Sequence, residues 1–219
     1  MREVDSDEVV RIVHEIDEVM GLGNGEHILA VDPGGTTGLC WCSMDELFSP
    51  SLDDDLQMKK KLISEGFVNR IEWGEITGTV AQQAWKIALG CQRLGVRIIV
   101  WESSDHFLLA PRGGMAMRKH ALIPIKMAGA LETVVIGLNK KGHAIVGVEQ
   151  TASMGKIIND DVLGMYGVQK GKKLSGMGRH ERDATRHLIE FLRRMFGGKP
   201  FGDFIVDELG QHLMGVKGG

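Results

Sequence analysis

Two short apolar runs, Ile28-Leu29-Ala30-Val31 and Ile98-Ile99-Val100-Trp101, each end on a single carboxylate, Asp32 and Glu102. Four consecutive apolar residues bounded by turn or polar signals are too short for a core helix and read as strands buried on both faces. An acid at the end of such a strand is carried to the rim of a sheet, where a side chain can meet solvent or a ligand. The first run continues as Asp32-Pro33-Gly34-Gly35-Thr36-Thr37-Gly38. Its glycines let the chain turn tightly and leave room for a ligand close to the backbone.

The rest of the chain fits a sheet built around these two strands. Thr37 to Cys42 and Phe67 to Thr77 read as strands that form hairpins with the first, the polar stretch Ser43 to Glu65 being an insertion between them. The pattern then alternates: helix Thr79 to Leu94, strand Arg97 to Trp101, helix Lys119 to Leu138, strand Ala144 to Val148. Short helical pieces follow at Ser153 to Ile158 and Asp160 to Met165. A strong helix from about Arg179 to Met195 is stopped by Gly197-Gly198 and Pro200. Three hairpin-linked strands followed by strands alternating with helices predict an α/β fold with a mixed five-stranded sheet flanked by helices. Residues 1–25 read as an N-terminal extension carrying an amphipathic helix, 26–199 as the single domain, and 200–219 as a tail.

Charge is unevenly spread. The net charge is −3, yet Met1 to Lys60 holds four Lys/Arg against fourteen Asp/Glu, while Met165 to Lys199 holds nine against three. One basic surface in an acidic chain suits a partner with a phosphate backbone, and equally an ordinary solvated helix. The three cysteines, Cys40, Cys42 and Cys91, lack the second close pair a zinc site needs and read as reduced core or edge thiols. No apolar run approaches the roughly 20 residues of a membrane span, and the N-terminus is acidic rather than basic-then-apolar, so a cytoplasmic protein is expected.

A third acidic motif opens the last helix, His180-Glu181-Arg182-Asp183-Ala184-Thr185-Arg186-His187, in which positions 180, 183 and 187 share one face. Hydrolysis of a phosphodiester by two divalent ions needs a few carboxylates that hold the ions ~4 Å apart around the attacking water and the leaving oxygen. Asp32 would bridge both ions, Glu102 would bind one and Asp183 the other. His180 would complete the second site or orient the water. Hard oxygen donors favour Mg²⁺ or Mn²⁺, two per site, and the imidazole tilts the choice toward Mn²⁺. His187, one turn beyond Asp183, is expected to support it by a hydrogen bond.

These motifs, VDPGGTTG, VWESSDHF and RHERDATRH, are similar in order and spacing to the RuvC family of Holliday junction resolvases, especially its phage branch. EQTASMGKII also resembles that family's segment before the final helices, with Lys156 at its basic position. The resemblance covers roughly Ile28 to Met195. It implies an RNase H-like fold, a homodimer, and paired symmetric nicking of four-way DNA junctions with Mg²⁺ or Mn²⁺, in the host cytoplasm if the chain is phage-encoded. By the same resemblance Asp32, Glu102 and Asp183 match the catalytic carboxylates, and His180 stands where members carry aspartate or histidine. Phe107 is the candidate for the aromatic side chain that wedges into the junction. The acidic N-terminal helix, the Ser43 to Glu65 insertion and the Phe201 to Gly219 tail depart from the common core.

DNA phosphates would be met by Arg112, Arg118, Lys119 and Lys126 after the second acid, and by Lys156, Lys170, Lys172, Lys173 and Arg179 before and at the start of the last helix. The segment Gln169 to Gly178 holds nothing expected to form a core. Met115, Met117 and Met127 suit a packing surface, which puts the dimer contact on the Met117 to Leu138 helix. Three other readings stay open. An actin-like or sugar-kinase-like ATPase shares an aspartate-glycine-threonine phosphate loop, but needs a duplicated unit and a second loop. A nuclease of the same fold could cut flaps, packaging intermediates or RNA-DNA hybrids. A junction-binding protein without catalysis would not need the ligand set.

Overall fold

A computed structural model describes residues 26–44, 67–103, 115–151, 157–168 and 176–196, with backbone alone for 115–121 and 195–196. The N-terminal extension, the Ser43 to Glu65 insertion beyond Met44, and the tail therefore lie outside the described residues.

Strand β1, His27–Asp32, is central, and β2, Thr36–Ser43, returns antiparallel beside it. Strand β3, Ile71–Thr77, pairs antiparallel with β2. On the other side of β1 lies β4, Val96–Glu102, in parallel, and beyond it β5, Val146–Gln150, also parallel. The sheet order is β3-β2-β1-β4-β5, so the mixed five-stranded sheet expected from the sequence is present.

Helices α1, Val80–Leu94, and α2, Met115–Lys140, join the parallel strands. Helix α1 begins at a capping box in which the Thr79 side chain accepts from the Gln82 amide and the Gln82 side chain from the Thr79 amide. It ends on Gly95 at φ 66°, a left-handed position that suits glycine. The short helix α3, Asp160–Met165, precedes α4, Arg179–Phe196. Its neighbour in sequence, the segment 152–156, is outside the described residues.

The two faces of the sheet carry separate cores. Leu29, Val31, Leu39, Trp41, Ile99 and Trp101 pack with Ile87, Cys91, Met127 and Leu131 of α1 and α2. Ile28, Ala30, Cys40, Ile98, Val100 and Val148 pack with Ala184, Leu188, Phe191 and Leu192 of α4. Alternation along β1, β2 and β4 thus sends successive apolar residues to opposite helix layers.

Several expectations are corrected. Residues Phe67–Arg70 form a 3-10 turn rather than the start of β3. Phe67 is buried edge-on against Tyr166, ring centroids 5.5 Å apart, and the Val68 amide donates to the Tyr166 carbonyl, which ties this segment to the end of α3 instead of to β2. Strand β5 starts two residues later than expected, because Asn139 at the end of α2 donates to the Ile145 carbonyl and accepts from its amide. Helix α2 starts at Met115, which places Pro124 inside it, and its Leu122–Lys140 segment is long and apolar enough by composition to cross a bilayer, contrary to the reading that no run reaches that length. Met127, Ala128, Leu131 and Leu138 of that segment lie in the core against the sheet, so Met127 is not a surface residue. Met177, finally, is fully buried beside α4, so the Gln169 to Gly178 segment does contribute to a core.

All three cysteines are buried and none is in a disulfide. Burial pushes the Cys40 thiol up to about 12 and the Cys91 thiol upward as well, which keeps them protonated at neutral pH and agrees with core thiols.

Candidate active site

The register of the parallel strands sets the site. Val31 pairs with Trp101, and Trp101 with Glu149, so Asp32, Glu102 and Gln150 are successive strand ends at one level of the sheet. Their parity puts them on the face of Ala30, Val100 and Val148, which is the face covered by α4. Two carboxylates and one amide thus form a row under the N-terminal half of the helix that carries His180, Asp183 and His187.

Helix α4 reaches this row because β2 has no side chain in its way. Gly38 is the register partner of Asp32, and a Cβ there would come within 2.7 Å of the Glu181 amide nitrogen and closer still to the His180 carbonyl. The helix start is fixed locally by Glu181, whose carboxylate accepts from the Gly178 amide as in half a capping box. The turn after Asp32 is tied down from α1. Gln83, buried, donates to the carbonyls of Gly35 at 3.1 Å and Gly78 at 2.9 Å and accepts from the Thr37 hydroxyl.

On this frame His180 Nδ1 stands 2.9 Å from Asp32 Oδ2. The carboxyl of Asp32 is pushed above the usual carboxylate range, first by burial and then by the negative charge of Asp183, against the lowering hydrogen bond from His180. Asp183 is also held by its own helix. Its Oδ1 accepts from Arg186, which further bonds Asp160 and the Ile158 carbonyl, and its Oδ2 is 3.9 Å from Arg179 Nε. The reading of Asp183 as a helix ion pair therefore has partners in place, alongside its proximity to Asp32.

His187 differs from its expected role. It does not bond Asp183: its Nδ1 is 2.9 Å from Gln150 Oε1, and its Nε2 is 3.9 Å from Glu102 Oε2. One helical turn carries the ring from the Asp32 end of the row to the Glu102 end. Burial, and then the charge of Arg186, push its pKa down to about 4. Between its usual 6.5 and about 4 the unfolded chain binds a proton that the folded one refuses, so the stability His187 contributes is present above 6.5 and lost as pH falls through this window. The drop in urea-unfolding midpoint from pH 7 to pH 5 is expected to be smaller in His187→Gln than in the parent chain; an equal drop would show that His187 does not titrate in this way.

Asp32, Glu102, His180, Asp183 and His187 are thus brought together. Among the described residues, no group of three or more His, Cys, Asp or Glu side chains is already drawn in around one point as ligands of a single ion. Of the proposed DNA contacts, Lys126 and Arg179 are exposed, Arg179 next to the site. The backbones of Arg118 and Lys119 lie in α2. Phe107, Arg112, Lys156, Lys170, Lys172 and Lys173 fall outside the described residues.

Sequence reading missed Gln83 and Gln150. The signal for Gln150 was available: it is a third polar residue closing an apolar strand, hidden because that strand was read as ending at Val148. Gln83 gave none, since a glutamine inside an amphipathic helix reads as solvated. Compared with models of protein families and with curated proteins, the chain matches none.

Proposed function

We propose that this chain is a divalent-metal-dependent endonuclease with an RNase H-like fold that resolves four-way DNA junctions by paired symmetric nicks. The observation that carries the reading is the convergence of strand-end acids Asp32 and Glu102 with a helix that sets His180 on Asp32 and the charge of Asp183 beside it. The RNase H-like assignment is supported by the strand order, with three antiparallel strands followed by two parallel ones on the far side of β1.

The donor set suits a hard divalent ion. Burial and a second carboxylate make the charge of Asp32 costly, and a cation between the carboxylates relieves that cost. Asp32, Glu102, His180 and Asp183 would hold two Mg²⁺ or Mn²⁺ ions, which when bound supply the charge that activates water and stabilises the leaving oxygen. His180, partly exposed while bonded to Asp32, orients that carboxylate and faces the side from which a phosphate arrives. Arg179, exposed at the helix start, offers a phosphate contact. The homodimer belongs on the outer face of α2, where Leu122 and Ile136 are exposed, and the working compartment is the cytoplasm.

The test is strand-specific nicking of a synthetic four-way junction, a flap, a linear duplex and an RNA-DNA hybrid, each with Mg²⁺ and Mn²⁺. Paired nicks in the junction alone are expected. Comparable cutting of the flap or hybrid would make a broader branched-DNA or hybrid nuclease the better description, and no cutting with either ion would overturn the reading.

A further inference from the structure

Resting on that metal-site reading, we propose that Arg186 is the positioning residue of the Asp183 carboxylate: it holds Oδ1, so that Oδ2 is the oxygen presented to the cation, and the ion binds beside the arginine rather than in its place.

The guanidinium is used on every side. Its Nε donates to the Ile158 carbonyl at 3.0 Å, one terminal nitrogen donates to Asp160 Oδ1 and the other to Asp183 Oδ1. An arginine that merely paired with an acid one turn earlier on its own helix would need the last of these bonds alone. The other two reach a different segment, 28 and 26 residues away in the chain. That segment is itself anchored. Ile158 is fully buried in the core under α4, and Asn159 caps α3 by accepting from the Val162 amide at 2.9 Å. The planar fork is therefore fixed from outside α4, and with it the oxygen that it holds.

The two oxygens of Asp183 are held unequally. Oδ1 is bonded to a guanidinium that is 21% exposed and locked by two further acceptors. Oδ2 lies 3.9 Å from Nε of Arg179, whose side chain is 82% exposed. A pair of this second kind is weak, and its long side chain can withdraw into water. A divalent ion can take the place of Arg179 at Oδ2, whereas at Oδ1 it would have to undo a network of two carboxylates and a carbonyl. The charge of Asp183 also acts on Asp32, whose carboxyl it helps to push up, so the two acids stand close enough to share the field of an ion. A ligating carboxylate is typically fixed by a hydrogen bond from a second residue in this way.

Two other roles for such an arginine predict different metal binding. As an internal cation standing where the metal would bind, it would compete with the ion for Asp183. As a tie between α3 and α4, it would affect stability alone.

The experiment is Mn²⁺ binding to the full chain without DNA, read from the electron paramagnetic resonance of the unbound ion, with urea unfolding measured alongside, for the parent, Arg186→Lys and Asp160→Ala. Lysine keeps the positive charge but has one nitrogen, which cannot hold both carboxylates and the carbonyl in a fixed plane. Arg186→Lys is expected to bind Mn²⁺ about 10- to 100-fold more weakly than the parent. Asp160→Ala keeps the arginine and Asp183 but unlocks one side of the fork; it should weaken binding by a smaller factor, and it carries the test if Arg186→Lys does not fold. Tighter binding in either variant would show competition between the arginine and the ion. Unchanged affinity in the folded variants, whatever their unfolding midpoints, would reduce Arg186 to a tie between helices. Either result would overturn the inference and leave the nuclease reading standing, whereas no Mn²⁺ binding by the parent chain would overturn both.

Discussion

Gly38→Ala is expected to destabilise the protein by about 3 kcal/mol, the upper end of what an overpacked site costs. The added methyl meets the backbone of α4 at His180 and Glu181 rather than the flexible end of a side chain. Helix α4 carries Ala184, Leu188, Ile189, Phe191 and Leu192 into the core, so its backbone cannot retreat from β2 without opening that layer. The nearby Gly35 is the control, because a Cβ there meets nothing within 4 Å, and Gly35→Ala should change stability by less than about 0.5 kcal/mol. Urea unfolding of both variants checks the pair. An unchanged midpoint for Gly38→Ala would mean that α4 does not cross β2 at the register partner of Asp32, and the convergence of His180 with Asp32 would fall with it.

Asp32→Asn should lower metal-dependent cleavage by more than about a thousandfold while leaving the metal-free protein as stable as before, or more so. The two effects share one cause. The carboxyl of Asp32 sits where burial and the charge of Asp183 both disfavour its ionised form, and asparagine removes that charge while keeping an oxygen for the bond from His180. A residue maintained against its own electrostatics is one whose charge is used, which is how functional positions trade stability for activity. Thermal unfolding without metal and a single-turnover nicking rate with Mn²⁺ separate the readings. Loss of stability with retained cleavage would mark Asp32 as a turn-capping aspartate, whereas loss of cleavage at unchanged or higher stability is the outcome the site predicts.

Much of the site is legible in the sequence. Asp32 and Glu102 stood out because a buried strand leaves few places for a charge, and a lone acid at its end is visible in a single sequence. His180, Asp183 and His187 followed from helical spacing alone. What spacing could not tell was where each ring would land. His187 was aimed at Asp183 because the two are one turn apart, but a helix laid across strand ends puts successive turns over successive strands, and the ring reached Gln150 and Glu102 instead. Local pattern also misjudged Phe67 and Met177. Each is taken up by a neighbour distant in the chain: Phe67 by Tyr166 after α3, and Met177 by the α4 core.

The sequence by itself determined the five strands and the helices between them, through apolar runs, alternation and caps, because those signals are read within ten or twenty residues. It also determined that acids would sit at strand ends. Only the tertiary structure decided which of those ends are neighbours and what lies across them. Register between β1, β4 and β5 is fixed by pairing over long separations, and the approach of α4 depends on the absence of a side chain at Gly38, more than a hundred residues away. A row of Asp32, Glu102 and Gln150 under one helix is a property of that packing, since no local preference of any of these residues distinguishes it from a surface of unrelated polar side chains.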